Sequence, residues 1–277
     1  LSGGGGASTD TVYINNCSMN NFEFGSGAYI NDDINAKFEN CIFDNNYHGI
    51  SSWSGTNIYI VDSKIRYNDC TTNGYSGHLN GSAIWTNHYY GASMTLINTE
   101  ISNNKGNETI YLSYDQNANN ELLIMDNVQI INNEGDGIWT SGYLSGSGQH
   151  NLNNVTISNN TGTGINKLAN ATISNSEISY NEWGGLNELI AVDIENTTIS
   201  HNTKLTRDGG SSGAGINGIE NSTLTNVIIE YNKTIDGVGG GITFYSTASN
   251  MILENVTIRN NYALHGGGIY QARADDF

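Results

Sequence analysis

Short stretches of alternating apolar and polar residues recur along the chain, and each is bounded by asparagines. The clearest pair is NNVTISNN at 153–160 and ENVTIRNN at 254–261. Within each stretch Val and Ile are two positions apart, so both side chains fall on the same face of a strand. Because Ile, Val, Thr and Tyr dominate the apolar set and few segments show a period of 3.6 residues, the pattern predicts strands rather than helices.

These stretches belong to a repeat. The motif Asn-x-x-Ile-x-x-Asn occurs in eight close copies and, in degenerate form, at Asn16 and Asp62, with successive copies 21 to 36 residues apart. Small residues or glycines followed by Ile or Leu come after most copies. Repeats of this length are typical of solenoids. We therefore predict an all-β, single-stranded parallel solenoid of about ten coils, each with three short strands, forming a rod of about 50 Å.

The first asparagine of the motif marks a change of face. In LENVTI, Leu253 and Asn255 share one face, whereas Val256 and Ile258 share a face that is shifted by one residue. Both faces can point inward only if the chain bends at Asn255, and asparagine tolerates the left-handed conformation that such a bend requires. We predict that these residues lie at a corner and that their amides form a ladder of hydrogen bonds from coil to coil. The predicted ladder consists of Asn40, Asn98, Asn127, Asn154, Asn175, Asn196, Asn226 and Asn255.

The motifs resemble those of the right-handed parallel β-helix superfamily. The corner asparagine is similar to the asparagine ladder of the pectate-lyase-like group. The paired GG-x-I and I-x-x-N motifs are similar to the repeats of polymorphic outer membrane proteins and of adhesin-like surface proteins. This resemblance covers residues 12–272 and implies a secreted or surface-displayed protein, with the right-handed coil that the crossover rule favours. We treat residues 1–277 as one β-helix domain, expected to be a segment of a longer chain or of an end-to-end fibre.

Composition narrows the range of partners. The 277 residues include 27 acidic and 10 basic ones, for a net charge of −17, which argues against nucleic acids and anionic membrane surfaces. No apolar run is long enough to span a bilayer. The three cysteines have no metal-binding spacing, so we predict neither a metal nor a cofactor. Cys17 and Cys41 each follow a corner asparagine and are expected in the core of adjacent coils, either as stacked free thiols or as a disulfide.

Aromatic residues define a candidate binding face. The residues that follow the Ile of the glycine motif are expected to point outward, and Trp85, Tyr111 and Trp139 occupy this position in successive coils. Such a stripe can stack against sugar rings, or it can simply stabilise the outside of the solenoid. Nearby acidic residues form no clear pair of the kind that a glycosidase needs. The candidate glycan-binding residues are Trp53, Trp85, Tyr111, Trp139, Asp115 and Asp136, with Glu134 considered beside them as an acidic residue.

The expected function is that of an extracellular or cell-surface, non-enzymatic solenoid. It would act as an adhesin, stalk or fibre and would bind glycans or a neighbouring cell, or associate head to tail with itself. The alternative is a polysaccharide-active enzyme, whether lyase, glycosidase or tailspike-like depolymerase, that uses a groove beside the long loops around the third strand. No catalytic residue is assigned, and the six histidines are expected in solvated turns. Four sequons that should be exposed are candidate glycosylation sites: Asn80, Asn107, Asn170 and Asn232.

Overall fold

The computed structural model describes residues 11–31, 34–53, 56–71, 80–88, 93–114, 122–141, 149–205, 213–244 and 250–271. These residues form strands and turns and contain no helix. The chain winds through ten coils, and each strand pairs in parallel with the equivalent strand of the next coil. The predicted all-β solenoid of about ten coils with three short strands each is confirmed.

The 28 strands in the described residues follow the same order in every coil. The first five coils are β1 (Thr11–Asn15), β2 (Ser18–Asn20) and β3 (Ser26–Asn31); β4 (Asn35–Glu39), β5 (Ile42–Asp44) and β6 (His48–Trp53); β7 (Ile58–Val61), β8 (Lys64–Arg66) and β9 (Ile84–His88); β10 (Ser93–Ile97), β11 (Glu100–Ser102) and β12 (Lys105–Tyr114); β13 (Leu122–Ile131) and β14 (Glu134–Ser141). The last five are β15 (His150–Ser158) and the start of β16 (Ile165–Ser174); the rest of β16, β17 (Glu177–Ser179) and the start of β18 (Leu186–Glu195); the rest of β18, β19 (Thr198–Ser200), β20 (Thr203–Lys204) and β21 (Ile216–Glu220); β22 (Thr223–Thr225), β23 (Ile228–Glu230), β24 (Lys233–Thr234) and β25 (Ile242–Phe244); β26 (Ile252–Glu254), β27 (Thr257–Arg259) and β28 (Ile269–Gln271).

The core consists of columns of equivalent residues. Parallel pairing in register places Ile50, Ile84, Ile110 and Ile138 directly above one another, and all four are fully buried. Every coil contributes similar apolar residues to the same column, so a continuous core runs the length of the rod. This is why the sequence repeats, since each coil must match the coils on both sides of it.

A corner separates the first strand of each coil from the second. All eight predicted ladder asparagines lie there with φ between 48° and 55°, the left-handed conformation. Their exposed amides bond from coil to coil: Asn127 donates to Asn98 at 2.9 Å and Asn154 donates to Asn127 at 3.2 Å. The ladder is confirmed, with local changes at Asn175, whose amide donates to Asn153 at 2.8 Å, and at Asn40, whose amide donates to Asn15 at 3.5 Å.

A second, buried ladder runs along the corner between the second and third strands. It is formed by the last asparagine of each motif, which the sequence analysis did not assign to a ladder. Asn160, for example, donates to Asn181 Oδ1 at 3.0 Å and accepts from Asn133 Nδ2 at 2.9 Å, and all three side chains are buried. The members of this inner ladder are Asn46, Asn68, Asn104, Asn133, Asn160, Asn181, Asn202, Asn232 and Asn261.

The glycine before the Ile of the second motif leaves room for the inner ladder. A Cβ added at Gly164 would lie 2.6 Å from the carbonyl oxygen of Gly185 and 3.0 Å from Nδ2 of Asn181. Both distances are shorter than ordinary contacts, so a side chain there would push the ladder and the next coil away. The paired asparagine and glycine motifs are therefore two halves of one packing arrangement.

Several expectations about burial require correction. Asn232 was expected to be exposed, but it is fully buried in the inner ladder. His48 and His150 were expected in solvated turns, and both are buried. Cys41 lies in the core as expected, whereas Cys17 is exposed in the first coil, and both are free thiols. Among the described residues, no helix is long and apolar enough to cross a membrane.

Candidate functional site

The aromatic residues predicted to line one face fall in one column of the third strands. Ser51, Trp85, Tyr111 and Trp139 are in register. The rings of Tyr111 and Trp139 stack with centroids 4.9 Å apart and planes 11° apart, and Trp53 contacts Trp85 at 5.7 Å. Trp85 was expected to point into solvent, but only 8% of its surface is exposed. The accessible rings of this face are Trp53, which is 37% exposed, and the half-buried Tyr111 and Trp139.

Farther along the rod, asparagines replace the aromatic residues at the equivalent position of the third strand. Asn187 donates to Asn166 at 2.8 Å, and Asn217 donates to Asn187 at 2.7 Å. At the junction of the two halves, Nζ of Lys167 lies 5.7 Å from the centroid of the Trp139 ring. The amides bond to one another, so this half of the column is a polar row beside the aromatic one, and Asn217 in it is buried.

An open groove runs beside this face, where the chain turns from the second strand into the third. Its volume is about 450 Å³. It crosses five coils, the third to the seventh, and is therefore about 19 Å long. Glycines at three positions keep its floor free of side chains, and the indole of Trp183 lies at one end, 48% exposed. The lining residues are Thr71, Gly106, Asn107, Glu134, Gly135, Asp136, Thr161, Gly162 and Trp183.

Two acidic residues occupy neighbouring positions beside this groove, Asp136 in its lining and Glu108 on the adjacent strand. Glu108 in β12 is paired in register with Asp136 in β14, so their backbones are about 5 Å apart. Burial and the charge of Asp136 raise the pKa of Glu108 to about 7. Oε2 of Glu108 is buried and has no hydrogen-bond partner among the described residues. At neutral pH this carboxyl group is therefore protonated about half of the time.

Asp136 is held differently from its neighbour. Burial raises its pKa, while hydrogen bonds from Asn166 and Thr163 act in the opposite direction. The backbone N–H of Thr163 donates to Oδ1 at 2.6 Å, and Nδ2 of Asn166 donates to Oδ2 at 2.8 Å. These donors favour the carboxylate form of Asp136, whereas Oε2 of Glu108 has no such donor among the described residues.

Two lysines lie near the acidic residues. Burial lowers the pKa of Lys204, and the charges of Asp136 and Glu188 partly offset this effect. The backbone of Lys204 pairs with that of Trp183 at the end of the groove. Nζ of Lys105 lies 3.6 Å from Oε2 of Glu134. No group of His, Cys, Asp or Glu in the described part of the chain could hold a metal ion.

The groove is lined by three residues that the sequence analysis named, Asp136, Glu134 and Asn107, and by others that it did not. Asp136 was named as a candidate and lines the groove, whereas Asp115 lies outside the described residues. Glu108 was missed, although it stands two positions before Ile110, as Asp136 stands before Ile138. This shared offset was a signal that aligning the glycine motifs could have shown. Trp183 was missed because it follows the inner ladder rather than the third strand.

The predicted glycosylation sites lie in different environments. Asn107 is exposed at the edge of the groove and donates to Asn80 at 3.3 Å. Asn170 is half-buried at a left-handed position, and Asn232 is buried. Glycosylation of Asn80, Asn107 and Asn170 stays a prediction. A glycan on Asn107 would occupy the groove.

Comparison with known proteins agrees with the coil architecture. The family model described as "Right handed beta helix region" matches residues 4–142 and 119–276, nearly the whole chain. The chain therefore belongs to the right-handed β-helix family, and the predicted handedness is confirmed. No curated protein and no solved structure was found to match it. Because this fold carries many functions, its function must be argued from the groove.

Proposed function

We propose that this protein is an extracellular or cell-surface β-helix that binds carbohydrate along the groove of coils three to seven and does not alter it chemically. The observation that carries the proposal is the shape and lining of the groove. It is long, open and polar, and it ends at the exposed indole of Trp183. Such a surface fits an extended chain of sugar rings better than a compact small molecule.

The groove offers polar groups for the hydroxyls of a sugar and an aromatic ring for its apolar C–H face. The hydroxyl groups of Thr71 and Thr161 and the amide of Asn107 can exchange hydrogen bonds with sugar hydroxyls. The C–H face of a ring can stack on Trp183, since a rigid indole offers a large contact area at low entropic cost. The stacked Tyr111 and Trp139 lie farther along β12 and β14, the strands that carry Asn107 and Asp136, and offer a second aromatic surface.

Charge favours neutral glycans over acidic ones. Glu134 and Asp136 line the groove, and the chain carries a net charge of −17. Polyanions such as polyuronates would be repelled by this field. A rod that displays such a groove along one side suits an adhesin or stalk that binds glycans of a host or neighbouring cell.

Trp183→Ala tests the proposal. Neutral oligosaccharides are first screened on a glycan array, and the affinity of any ligand found is then measured by calorimetry. We expect the variant to bind at least about tenfold more weakly, because one stacking contact of about 1.4 kcal/mol corresponds to that factor. Tyr180→Ala is the matched control, since Tyr180 is equally exposed, at 51%, but does not line the groove. Absence of binding to every neutral glycan, or equal affinity in all three proteins, would contradict the proposal.

Hydrolysis of the bound glycan is a second candidate function, favoured by the pairing of Glu108 with Asp136. Glycosidases that retain configuration use two carboxyl groups about 5 Å apart, and the side chains of two residues paired in register on neighbouring strands can reach such a spacing. Protonated Glu108 would donate its proton to the glycosidic oxygen while the Asp136 carboxylate attacks the anomeric carbon. Water would then displace Asp136 from the sugar and return a proton to Glu108. The raised pKa of Glu108 suits the acid role near neutral pH.

Release of reducing ends from a bound polysaccharide distinguishes the two functions. If the pair is catalytic, Glu108→Gln loses turnover by at least about a thousandfold but still binds, since glutamine cannot donate the proton. Glu134→Gln is the control, because Glu134 lines the groove but is not paired in register with Asp136. If no reducing ends form from any glycan that the protein binds, hydrolysis is wrong and binding alone remains.

A further inference from the structure

Two cysteines face each other at the first corner of the first two coils. Asn15 pairs with Glu39, and Ser18 pairs with Ile42, on either side of the corner. Cys17 is therefore opposite Cys41, one coil apart. The backbone N–H of Ile42 also donates to the carbonyl oxygen of Cys17 at 2.9 Å, which fixes this register.

Both thiols point in the same direction. Sγ of Cys17 lies 3.4 Å from the carbonyl oxygen two residues earlier, and Sγ of Cys41 has the same relation to Glu39, also at 3.4 Å. The hydroxyl of Ser63, which follows the equivalent corner in the third coil, repeats this contact at 2.7 Å. The two sulfurs thus occupy equivalent places in adjacent coils of one column.

We propose that Cys17 and Cys41 form a disulfide when the protein is in an oxidising compartment, and that this bond fastens the first coil to the second. Disulfides span Cα separations of about 4.4–6.8 Å, and neighbouring parallel chains are about 4.8 Å apart. Because both cysteines lie in a corner rather than within a strand, the side chains can rotate toward each other without breaking strand pairing. Both are reduced in this structure.

The reaction is an exchange with a small disulfide such as oxidised glutathione. Cys17 is exposed, so its thiolate attacks the glutathione disulfide, forms a mixed disulfide and releases one glutathione thiolate. The sulfur of Cys41 then attacks the sulfur of Cys17 and releases the second glutathione. Two protein thiols are oxidised, one glutathione disulfide is reduced to two thiols, and the two protons from the cysteines end on the released glutathiones.

The bond would act on the first coil of the described residues. Among these residues, the strands of that coil pair only with those of the second coil. In a protein of these coils alone, a coil with a neighbour on one side opens at a lower free energy than a coil paired on both sides. A covalent link across a separation of 24 residues restricts that opening, because the detached coil cannot move away from its neighbour.

The third cysteine provides an internal control. Cys70 is fully buried, and burial raises its pKa to about 12, so it forms almost no thiolate at neutral pH. Trypsin sites at Lys37 and at Lys64 and Arg66 place the three cysteines in separate peptides. A mass spectrum of the digest therefore shows which pair is linked.

The test uses the full chain, reduced and then incubated with oxidised glutathione at neutral pH. We expect a loss of two hydrogen atoms in the intact mass, a Cys17–Cys41 peptide pair and free Cys70. Cys41→Ser is expected to stop at the mixed disulfide of Cys17 with glutathione. In wild-type protein a lasting mixed disulfide on Cys17, a disulfide between two chains or a bond to Cys70 would overturn the proposal.

Hydrogen exchange tests the consequence for the first coil. Amides in β1 and β2 should exchange at least about tenfold more slowly in the oxidised protein, while those of the middle coils should not change. Cys17→Ser, which cannot form the bond, should exchange like the reduced protein under both conditions. Equal exchange rates of β1 and β2 in oxidised and reduced wild-type protein would show that the bond does not fasten the coil.

Discussion

His150 is a buried titratable side chain at the start of β15. The backbone N–H of Leu123 donates to its Nδ1 at 2.9 Å, so this nitrogen must be unprotonated. Burial lowers the pKa of His150 to about 4, from an ordinary value of 6.5. Between these values the unfolded chain binds a proton that the folded chain excludes. The stability that the neutral ring provides is therefore complete above pH 6.5 and is lost as the pH falls toward 4.

His150→Asn removes this titration while keeping an acceptor for Leu123. Between pH 7.5 and pH 5, wild type should lose about 2 kcal/mol of unfolding free energy that the variant does not lose. Denaturant unfolding of both proteins at each pH measures the difference. Glu108 acts in the opposite direction, since its raised pKa removes stability as the pH rises from 4.5 to about 7. Both proteins contain Glu108, so parallel pH profiles would show that His150 does not titrate as described.

The two asparagine ladders contribute differently to the coil. Asn160 in the inner ladder is fully buried and donates to Ile130 O at 3.1 Å as well as to Asn181. It also accepts from the backbone and side chain of Asn133. Asn154 in the outer ladder is exposed and bonds to Asn127 at 3.2 Å, where water can replace a lost partner. The buried ladder is therefore the one on which stability depends.

Asn160→Ala should destabilise the protein by about 3–5 kcal/mol, because it leaves several buried partners without hydrogen bonds. Asn154→Ala should cost about 1 kcal/mol, chiefly because alanine tolerates the left-handed corner less well. Chemical denaturation of the two variants gives both values. If the two substitutions cost the same, the inner ladder has no special role.

The difference between the ladders also shows what the sequence could and could not predict. The outer corner was predictable, because Asn255 sits where the inward face shifts by one residue. The second corner turns at the left-handed residue before the inner asparagine, which is Asn159 in one coil but Tyr180 or His201 in others. Because that position is not always asparagine, its sequence signal is weaker, and the burial of the inner asparagine depends on how the next coil stacks on the turn. The candidate site was likewise predictable only in part. The sequence indicated Asp136, because it is an acidic residue near aromatic ones. The pairing of Glu108 with it, and the burial that changes its proton affinity, depend on contacts between residues about 28 positions apart.

At the scale of the whole molecule, the inner ladder differs at the two ends of the described rod. In the first coil, Phe22 stands where the other coils have the ladder asparagine, and its backbone N–H donates to Asn46 Oδ1 at 3.2 Å. In the last coil, Asn261 accepts from Asn232, as every member after Asn46 accepts from the member before it. In the interior of the rod, the backbone N–H and the side-chain amide of each member both donate to the side-chain oxygen of the next asparagine. If two copies stacked head to tail, the last coil of one copy would lie next to the first coil of the other. Asn261 would then face the phenyl ring of Phe22 rather than the amide oxygen of another asparagine.

Association into a fibre stays a prediction, and the ladder indicates which residue at the end of the rod should control it. We expect wild-type copies to stack weakly end to end, and Phe22→Asn to strengthen stacking by at least about tenfold, since it supplies the missing acceptor and donor. Sedimentation velocity over a range of concentrations measures the association, and electron microscopy shows whether rods lengthen. Phe24→Asn is the matched control, because Phe24 is 80% exposed in the same coil but lies outside the ladder. Long fibres of wild-type protein, or equal association of the two variants, would mean that contacts other than the ladder determine end-to-end stacking.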